Sequence, residues 1–346
     1  MTSVPRARGV ILAGLSIVLV VGLAVASRPA VRQEPFVRRP YPEWVDGRWT
    51  GRGIAYGMHR DGQRPGGLSP SRAEIAEDLR LIAPEWSALR VYGSLEPTET
   101  VLDVARRSHP GLVVLLGVWI DPETRRDSAG VEQPRPEAVR ANRAQLDAAA
   151  RLAARYPGVV RAIVVGNETQ VAWSAHRSSR ERLIEAIREM RARTRVPVTT
   201  ADDYNFWNKP ESEPVARECD FLMVHAHPLW NGQSVETAIP WTETQLAVIR
   251  ERHPGVPLVL GETGWATQRT DTGDEAKYMK AESSERMQAA YLDTLDAWLA
   301  KRPLPVFVFE AFDENWKGGH RPDEVEKHWG LWRADRSAKP ALARPR

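Results

Sequence analysis

One cysteine, Cys219, stands in 346 residues, so the chain holds no intrachain disulfide and no multi-cysteine metal site. It reads as a small buried residue ahead of a strand. No glycine-rich phosphate loop occurs anywhere, which removes the usual nucleotide-binding reading of an α/β protein. Net charge is also scarce, at +3. Residues 1–50 carry seven arginines (6, 8, 28, 32, 38, 39, 48) against Glu34, Glu43 and Asp46, an excess of four that leaves the rest of the chain near −1. A nucleic-acid binder carries its basic patch on the folded domain, so nucleic acid is not an expected partner.

Long uncharged runs are lacking with one exception, the eighteen residues Gly9 to Ala26, which come after Arg6 and Arg8. That length is at the lower limit for a membrane-spanning helix and above the roughly 7 to 15 residues of a signal-peptide core. Ala24-Val25-Ala26 is a small-x-small cleavage pattern. Either reading exports the rest of the chain: a membrane-anchored protein with its folded domain outside the cytoplasm, or a periplasmic or secreted one if cleaved after Ala26. The expected organisation is a signal anchor or signal peptide over 1–26, an Arg/Pro-rich linker over 27–50 and a single folded domain over 51–346.

What is present is a repeated alternation. Leu258-Val259-Leu260 reads as a buried strand, and Gly261-Glu262-Thr263-Gly264-Trp265 ends it, leaving one acid at a strand's carboxyl end. Strands are expected at 53–57, 89–93, 112–120, 162–168, 197–203, 220–227, 258–262 and 306–311. Helix-like segments lie between most of them: one opened by Ser69-Pro70 with Ile75, Leu79 and Ile82 on one face, one over 137–155 opened by Pro136, one over 177–193, and the longest over 282–301 with Met287, Tyr291, Leu295 and Trp298 in a stripe. Nearly continuous apolar strands such as Val113 to Leu116 and Val306 to Phe309 are those buried on both faces. Eight such units over about 280 residues are the arithmetic of a (β/α)8 TIM barrel. A doubly wound open sheet is the alternative.

On a barrel the strand ends share one cavity, here Tyr56, Tyr92, Trp119, Asn167-Glu168, Asp202 to Tyr204, His225, His227, Glu262 and the stretch 310–317. A lone strand-end glutamate reads as a solvated rim charge. Glu168 and Glu262, each closing an apolar strand, are instead the pair that glycoside hydrolysis needs, one to protonate the leaving oxygen and one to attack or to activate water. His225-x-His227 puts two imidazoles on one strand face, but a metal site would need further ligands, for which Asp202 and Asp203 are the candidates. Hydrogen-bonding histidines are the simpler reading, and no metal or other cofactor is expected. Of thirteen tryptophans, Trp119, Trp207, Trp230, Trp265 and Trp316 fall just past expected strands and suit a cleft for a ligand with apolar faces.

Gly53-Ile-Ala-Tyr-Gly57, Arg90-Val-Tyr-Gly93, Val165-Gly-Asn-Glu168, Gly261-Glu-Thr-Gly-Trp265, Phe309-Glu-Ala-Phe-Asp-Glu-Asn-Trp-Lys317 and His328-Trp-Gly-Leu-Trp332 together resemble glycoside hydrolase family 17, the β-1,3-glucanase and β-1,3-glucanosyltransferase family. The resemblance runs from residue 53 to about 340. It implies a (β/α)8 barrel acting on β-1,3-glucan oligo- or polysaccharide, with Glu168 as acid/base and Glu262 as nucleophile. It also implies that Asn167 reaches the sugar 2-hydroxyl and that Glu314, Lys317 and Glu326 support the substrate site, while Tyr56, Tyr92, Tyr204, His227 and Trp265, read from the strand ends, are the expected lining residues. The plant enzymes have tyrosine where this chain has His227, so the contact orienting the nucleophile differs. Hydrolysis, transfer to a second sugar, and binding by an inactive barrel are the competing outcomes.

Overall fold

The computed structural model describes residues 31–343 apart from Asp46. Eight strands form a closed, wholly parallel barrel: β1 (Arg52–Ala55), β2 (Ala88–Val91), β3 (Val113–Val118), β4 (Val160–Asn167), β5 (Val198–Asp203), β6 (Leu222–His225), β7 (Leu258–Thr263) and β8 (Val306–Val308), with β8 pairing back to β1. All eight expected strands are present, with ends shifted by a few residues. The main crossover helices are α1 (Arg72–Ile82), α2 (Thr98–Ser108), α3 (Pro136–Arg155), α4 (Arg180–Arg193), α5 (Val235–Arg252) and α6 (Glu285–Lys301). Between β5 and β6 the crossover is made of short turns of helix, Tyr204–Trp207 and Glu213–Ala216. The longest of these helices is α3, with 20 residues against 17 in α6.

The helix starts obey local chemistry. Ser71 caps α1 and forms a reciprocal box with Glu74, Pro136 occupies the first turn of α3, and Ser179 and Ser284 cap α4 and α6. α6 therefore begins at Glu285 rather than 282, because the Ser284 side chain takes the amide of Met287.

Strand alternation divides the core in two. Val113, Leu115, Ala162, Val164, Met223, Val259 and Phe307 fill the barrel, whereas Val114, Leu116, Ile163, Val165 and Val224 pack under the helices. Cys219 is a buried part of the second layer, its thiol pushed up to about 12 by burial.

Residues 31–50 depart from the expected linker. Tyr41 closes the amino-terminal mouth of the barrel, edge-on to Phe221 with ring centroids 5.2 Å apart. Arg39 donates its backbone N–H to Asp220 Oδ1 (2.7 Å) and its guanidinium to the carbonyls of Arg191, Thr194 and Val196 (2.8, 2.9 and 2.9 Å). The physical reason is demand from the barrel side: α4 ends with orphan carbonyls, and the barrel floor is apolar. The segment 1–26, expected to direct export, lies outside the described residues. Among the described residues no helix is long and apolar enough to cross a membrane.

Candidate active site

The carboxyl ends of β2, β4, β6 and β7 converge on one charged cluster. On β7 strict alternation from the inward Val259 would turn Glu262 outward. The register instead slips at Gly261, pairing Val224 with Leu260 and then His225 with Glu262, so the bulge aims the carboxylate into the barrel mouth. A similar irregularity between Val164 and Asn167 precedes Glu168, whose φ of 49° is left-handed, a conformation that costs a non-glycine residue about 1–2 kcal/mol.

Glu262 is saturated with donors. Arg90 Nη1 lies 2.7 Å from Oε1, Tyr92 donates its hydroxyl to Oε1 at 2.9 Å, and His227 Nε2 donates to Oε2 at 3.2 Å. Burial alone would raise this carboxyl, but the charges of His225 and Arg90 and the hydrogen bond from His227 outweigh it and hold Glu262 well below the usual carboxylate range. Arg90 also reaches the Gly261 carbonyl (3.0 Å) and Asn167 Oδ1, so one guanidinium ties β2 to β4 and β7.

Glu168 is different. Its side chain is about a quarter exposed and accepts from His225 Nδ1 at 2.8 Å. The other nitrogen of His225 lies 2.8 Å from Arg90 Nη1 and 3.4 Å from Glu262 Oε1, so the ring bridges the two glutamates. One oxygen from each carboxylate and one His225 nitrogen all lie within 4.8 Å of one another. Asn167 is held from its other side too, its carbonyl meeting His176 Nε2 at 2.8 Å while the His176 ring packs on Trp119 (4.6 Å).

Two buried acids come next on β5. Burial, then the nearby Glu168 charge, pushes Asp202 well above the usual range even though it accepts the amides of Gln170 and Asp203. Asp203 is pushed up to about 7 by burial, against the hydrogen bonds from Asn205 that pull it down. Beyond β8, Lys317 Nζ sits between Glu310 (2.6 Å) and Glu314 (2.7 Å). Burial drives Glu310 up, whereas the Lys317 charge overcomes burial at Glu314 and holds it down. Glu326 is half-buried, its carboxyl raised by burial within the fields of Lys317, His227, Glu168 and Glu262.

The structure thus brings Tyr92, Asn167, Glu168, His227 and Glu262 together, with Glu314 and Lys317 in an adjoining cluster. Tyr204 contributes through Asn231: its hydroxyl donates to Asn231 Oδ1 (2.6 Å), and Asn231 Nδ2 donates to the His227 carbonyl (2.9 Å). Two expected lining residues are elsewhere. Tyr56, fully buried, donates its hydroxyl to Asp78 on α1 (3.0 Å), because Gly53 faces inward and three residues on the strand has reversed face. Trp265 is 1% exposed, packed on Tyr291 of α6 with Nε1 bonded to the Glu282 carbonyl (3.0 Å). Trp207 is core as well, its Nε1 on the Met223 carbonyl. Sequence reasoning gave no role to Arg90 or His176. A charged residue inside the apolar run Ala88 to Val91 was the available signal for the first.

The cluster also tests the two-histidine metal reading. Both histidines reach Glu262, His225 Nε2 3.4 Å from Oε1 and His227 Nε2 3.2 Å from Oε2, but His225 joins Glu168 and Glu262 in a ligand-like set that does not include His227, whose buried Nδ1 has no partner among the described residues. The donor set of Glu168, His225 and Glu262 has the composition of a metal site, but Arg90 Nη1 lies within 2.8 Å of two of its members.

A parallel barrel whose strand ends hold two carboxylates in unlike environments is the architecture of a barrel glycosidase. Residues 53–330 match the BtgE/BtgC glycoside hydrolase domain, and the chain belongs to that family. It is 27% identical over 292 residues to a glucan 1,3-beta-glucosidase of Arthroderma benhamiae, spanning 80% of this chain and 86% of that one. Its fold resembles that of an endo-laminarinase from Formosa Hel1_33_131 (TM-score 0.72, 24% identity, 84% and 85% of the two chains). It is similar too to a family 17 beta-1,3-glucanosyltransferase from Rhizomucor miehei (TM-score 0.65, 23% identity, 84% and 96%).

Proposed function

We propose that this chain cleaves β-1,3-linked glucan with retention of anomeric configuration, Glu262 acting as nucleophile and Glu168 as acid/base. The observation that carries the reading is the separation of the two carboxylates, whose nearest oxygens lie within 4.8 Å of each other. Direct attack needs carboxyl groups about 5 to 5.5 Å apart, whereas an inverting water needs roughly 6.5 to 9.5 Å. The unlike environments support the division of roles. Glu262 is kept anionic by Arg90, Tyr92 and His227, as a nucleophile must be, and Glu168 is the more accessible carboxyl.

In the first step a Glu262 oxygen bonds to the anomeric carbon as the glycosidic C–O bond breaks, and Glu168 gives its proton to the departing oxygen. Glu168, now a carboxylate, then takes a proton from an incoming water or sugar hydroxyl. That oxygen displaces Glu262 and restores the starting state. We assign the sugar 2-hydroxyl to Asn167, a reading supported by its place next to Glu168 and by the Arg90 guanidinium that holds its Oδ1. The relatives' names include a laminarinase and a glucanosyltransferase, so water and a second glucan are both acceptors to be measured.

Proton NMR of the first product from laminarioligosaccharides tests the mechanism: the β-anomer is expected, and an α-anomer ahead of mutarotation would overturn the role of Glu262. Products longer than the substrate mark transfer, and shorter ones alone mark hydrolysis. Glu262→Ala is expected to abolish turnover on every substrate. Glu168→Ala should retain activity on an aryl glucoside whose leaving group needs no proton, accelerated by azide. We further propose export, supported by the uncharged run Gly9 to Ala26 behind Arg6 and Arg8. Recovery of the protein solely from the cytoplasm would refute it.

A further inference from the structure

We propose that Trp316, backed by His59, is a stacking platform for a glucosyl residue beyond the one being cleaved, on the side away from the leaving group; this rests on the β-1,3-glucan reading above. An exposed tryptophan by itself means little. Trp316 is 38% exposed, yet its ring is fixed from below. Its Nε1 donates to Glu314 Oε1 at 2.8 Å, and the Glu314 side chain is buried and paired with Lys317. Room for that carboxylate comes from Gly57, where a Cβ would collide with the Glu314 oxygens. The buried His59 meets the indole edge-on, centroids 5.7 Å apart at 73°. The neighbouring Asn315 donates to Asp61 (2.7 Å), tying the loop after β8 to the loop after β1. The indole is therefore held in place before any ligand arrives, which lowers the ordering cost of binding.

Its position is continuous with the reacting centre. Lys317 Nζ lies 5.9 Å from the Trp316 ring centroid and 4.7 Å from that of Phe309, Phe309 is 5.5 Å from His227, and His227 reaches Glu262. Direction comes from the barrel order. Glu168, which protonates the leaving group, ends β4, and β8 lies opposite β4 in the closed ring. A sugar over Trp316 is then on the glycone side. A β-glucosyl ring, with its hydroxyls equatorial, offers flat faces of C–H bonds to an aromatic ring, which is the chemistry this surface suits.

The test uses the full chain and aryl β-laminariosides of one, two, three and four glucosyl units, so that the leaving group stays constant while the glycone lengthens. Wild-type kcat/KM should rise with length. For W316A the ratio to wild type should fall by about tenfold or more between the shortest and the longest substrates, and W316F, which keeps a ring, should recover most of that gain. An equal loss at every length, or no loss at any, overturns the platform. A wild-type enzyme inert towards the whole series overturns the β-1,3-glucan reading and the platform with it.

Discussion

Arg90 Nη1 lies 2.7 Å from Glu262 Oε1, and both residues are buried, so the anion at the centre of the site is held by a cation two barrel strands were shaped to bring there. Removing one partner of such a pair leaves the other uncompensated, at a cost of about 3–5 kcal/mol in stability. The sign with pH is set by Glu262 being held below its ordinary value. Its contribution to stability is present above the unfolded carboxylate pKa of about 4.3 and is lost as pH falls towards the depressed folded value. Arg90→Met should therefore be most destabilising near neutrality, with the deficit shrinking below about pH 4. It should also move the acid limb of kcat/KM upward as Glu262 takes a proton more readily. Urea unfolding at pH 7 and pH 3, together with the pH–rate profile, checks this, and an unmoved acid limb would count against the pairing.

The barrel was legible because its signals are local and repeated: apolar runs ending in Gly, Asn or Glu, punctuated by Ser caps and Pro136. Pro240 masks helix α5 in the sequence by interrupting its apolar series Val235, Ala238, Ile239, Leu246, Ile249, although the helix runs through it. The two glutamates were legible as strand ends, but the bulge that turns Glu262 inward depends on pairing between β6 and β7, which a single sequence does not display. Tyr56 and Trp265 failed for a related reason. Tyr56 follows the inward Gly53 by three residues and Trp265 follows Glu262 by three, and an odd number of steps along an extended chain reverses the face. Arg90, His225 and His176 act through partners nine or more residues away, most of them on other strands, so their roles exist only in three dimensions.

Asp203 offers a pH effect of opposite sign. Its carboxyl, at about 7, binds a proton more tightly folded than unfolded, where the ordinary value is about 3.9. Its contribution thus favours the folded state at low pH and diminishes as pH rises through the interval between those values, by at most about 1.4 kcal/mol per unit. Asp203→Asn keeps the oxygen that accepts from Asn205 and removes the titration. The variant should gain stability relative to wild type between pH 5 and pH 8 in urea midpoints. Parallel pH dependences would show that Asp203 ionises normally.

Chelation should leave turnover unchanged. The oxygens and nitrogen of Glu168, His225 and Glu262 form a ligand-like set, but the Arg90 guanidinium already supplies the positive charge at 2.7 Å from Glu262 and 2.8 Å from His225. A second cation there would be repelled by the first. Activity lost to a chelator and restored by zinc would reverse this conclusion.

The base of the barrel carries the last prediction. Tyr41 is 7% exposed against Phe221, and Arg39 satisfies Asp220 and three carbonyls at the end of α4, so these residues behave as part of the fold and not as a tether. Tyr41→Ala removes a packed aromatic and should cost about 3 kcal/mol. Arg39→Ala keeps the backbone bond to Asp220 but leaves three part-buried carbonyls without the guanidinium, and should cost about 1–3 kcal/mol. Neither touches the reacting groups, which lie at the opposite, carboxyl end of the strands, so kcat at temperatures well below melting should stay near wild type. Deleting residues 1–49 removes both contacts at once and should lower Tm more than either substitution, whereas deleting 1–26, the product of cleavage after Ala26, retains them and should not. Thermal melts of the four variants beside the full chain decide the point: equal Tm for the two deletions would mean that residues 31–49 add nothing to the barrel, and the domain would then begin at residue 50.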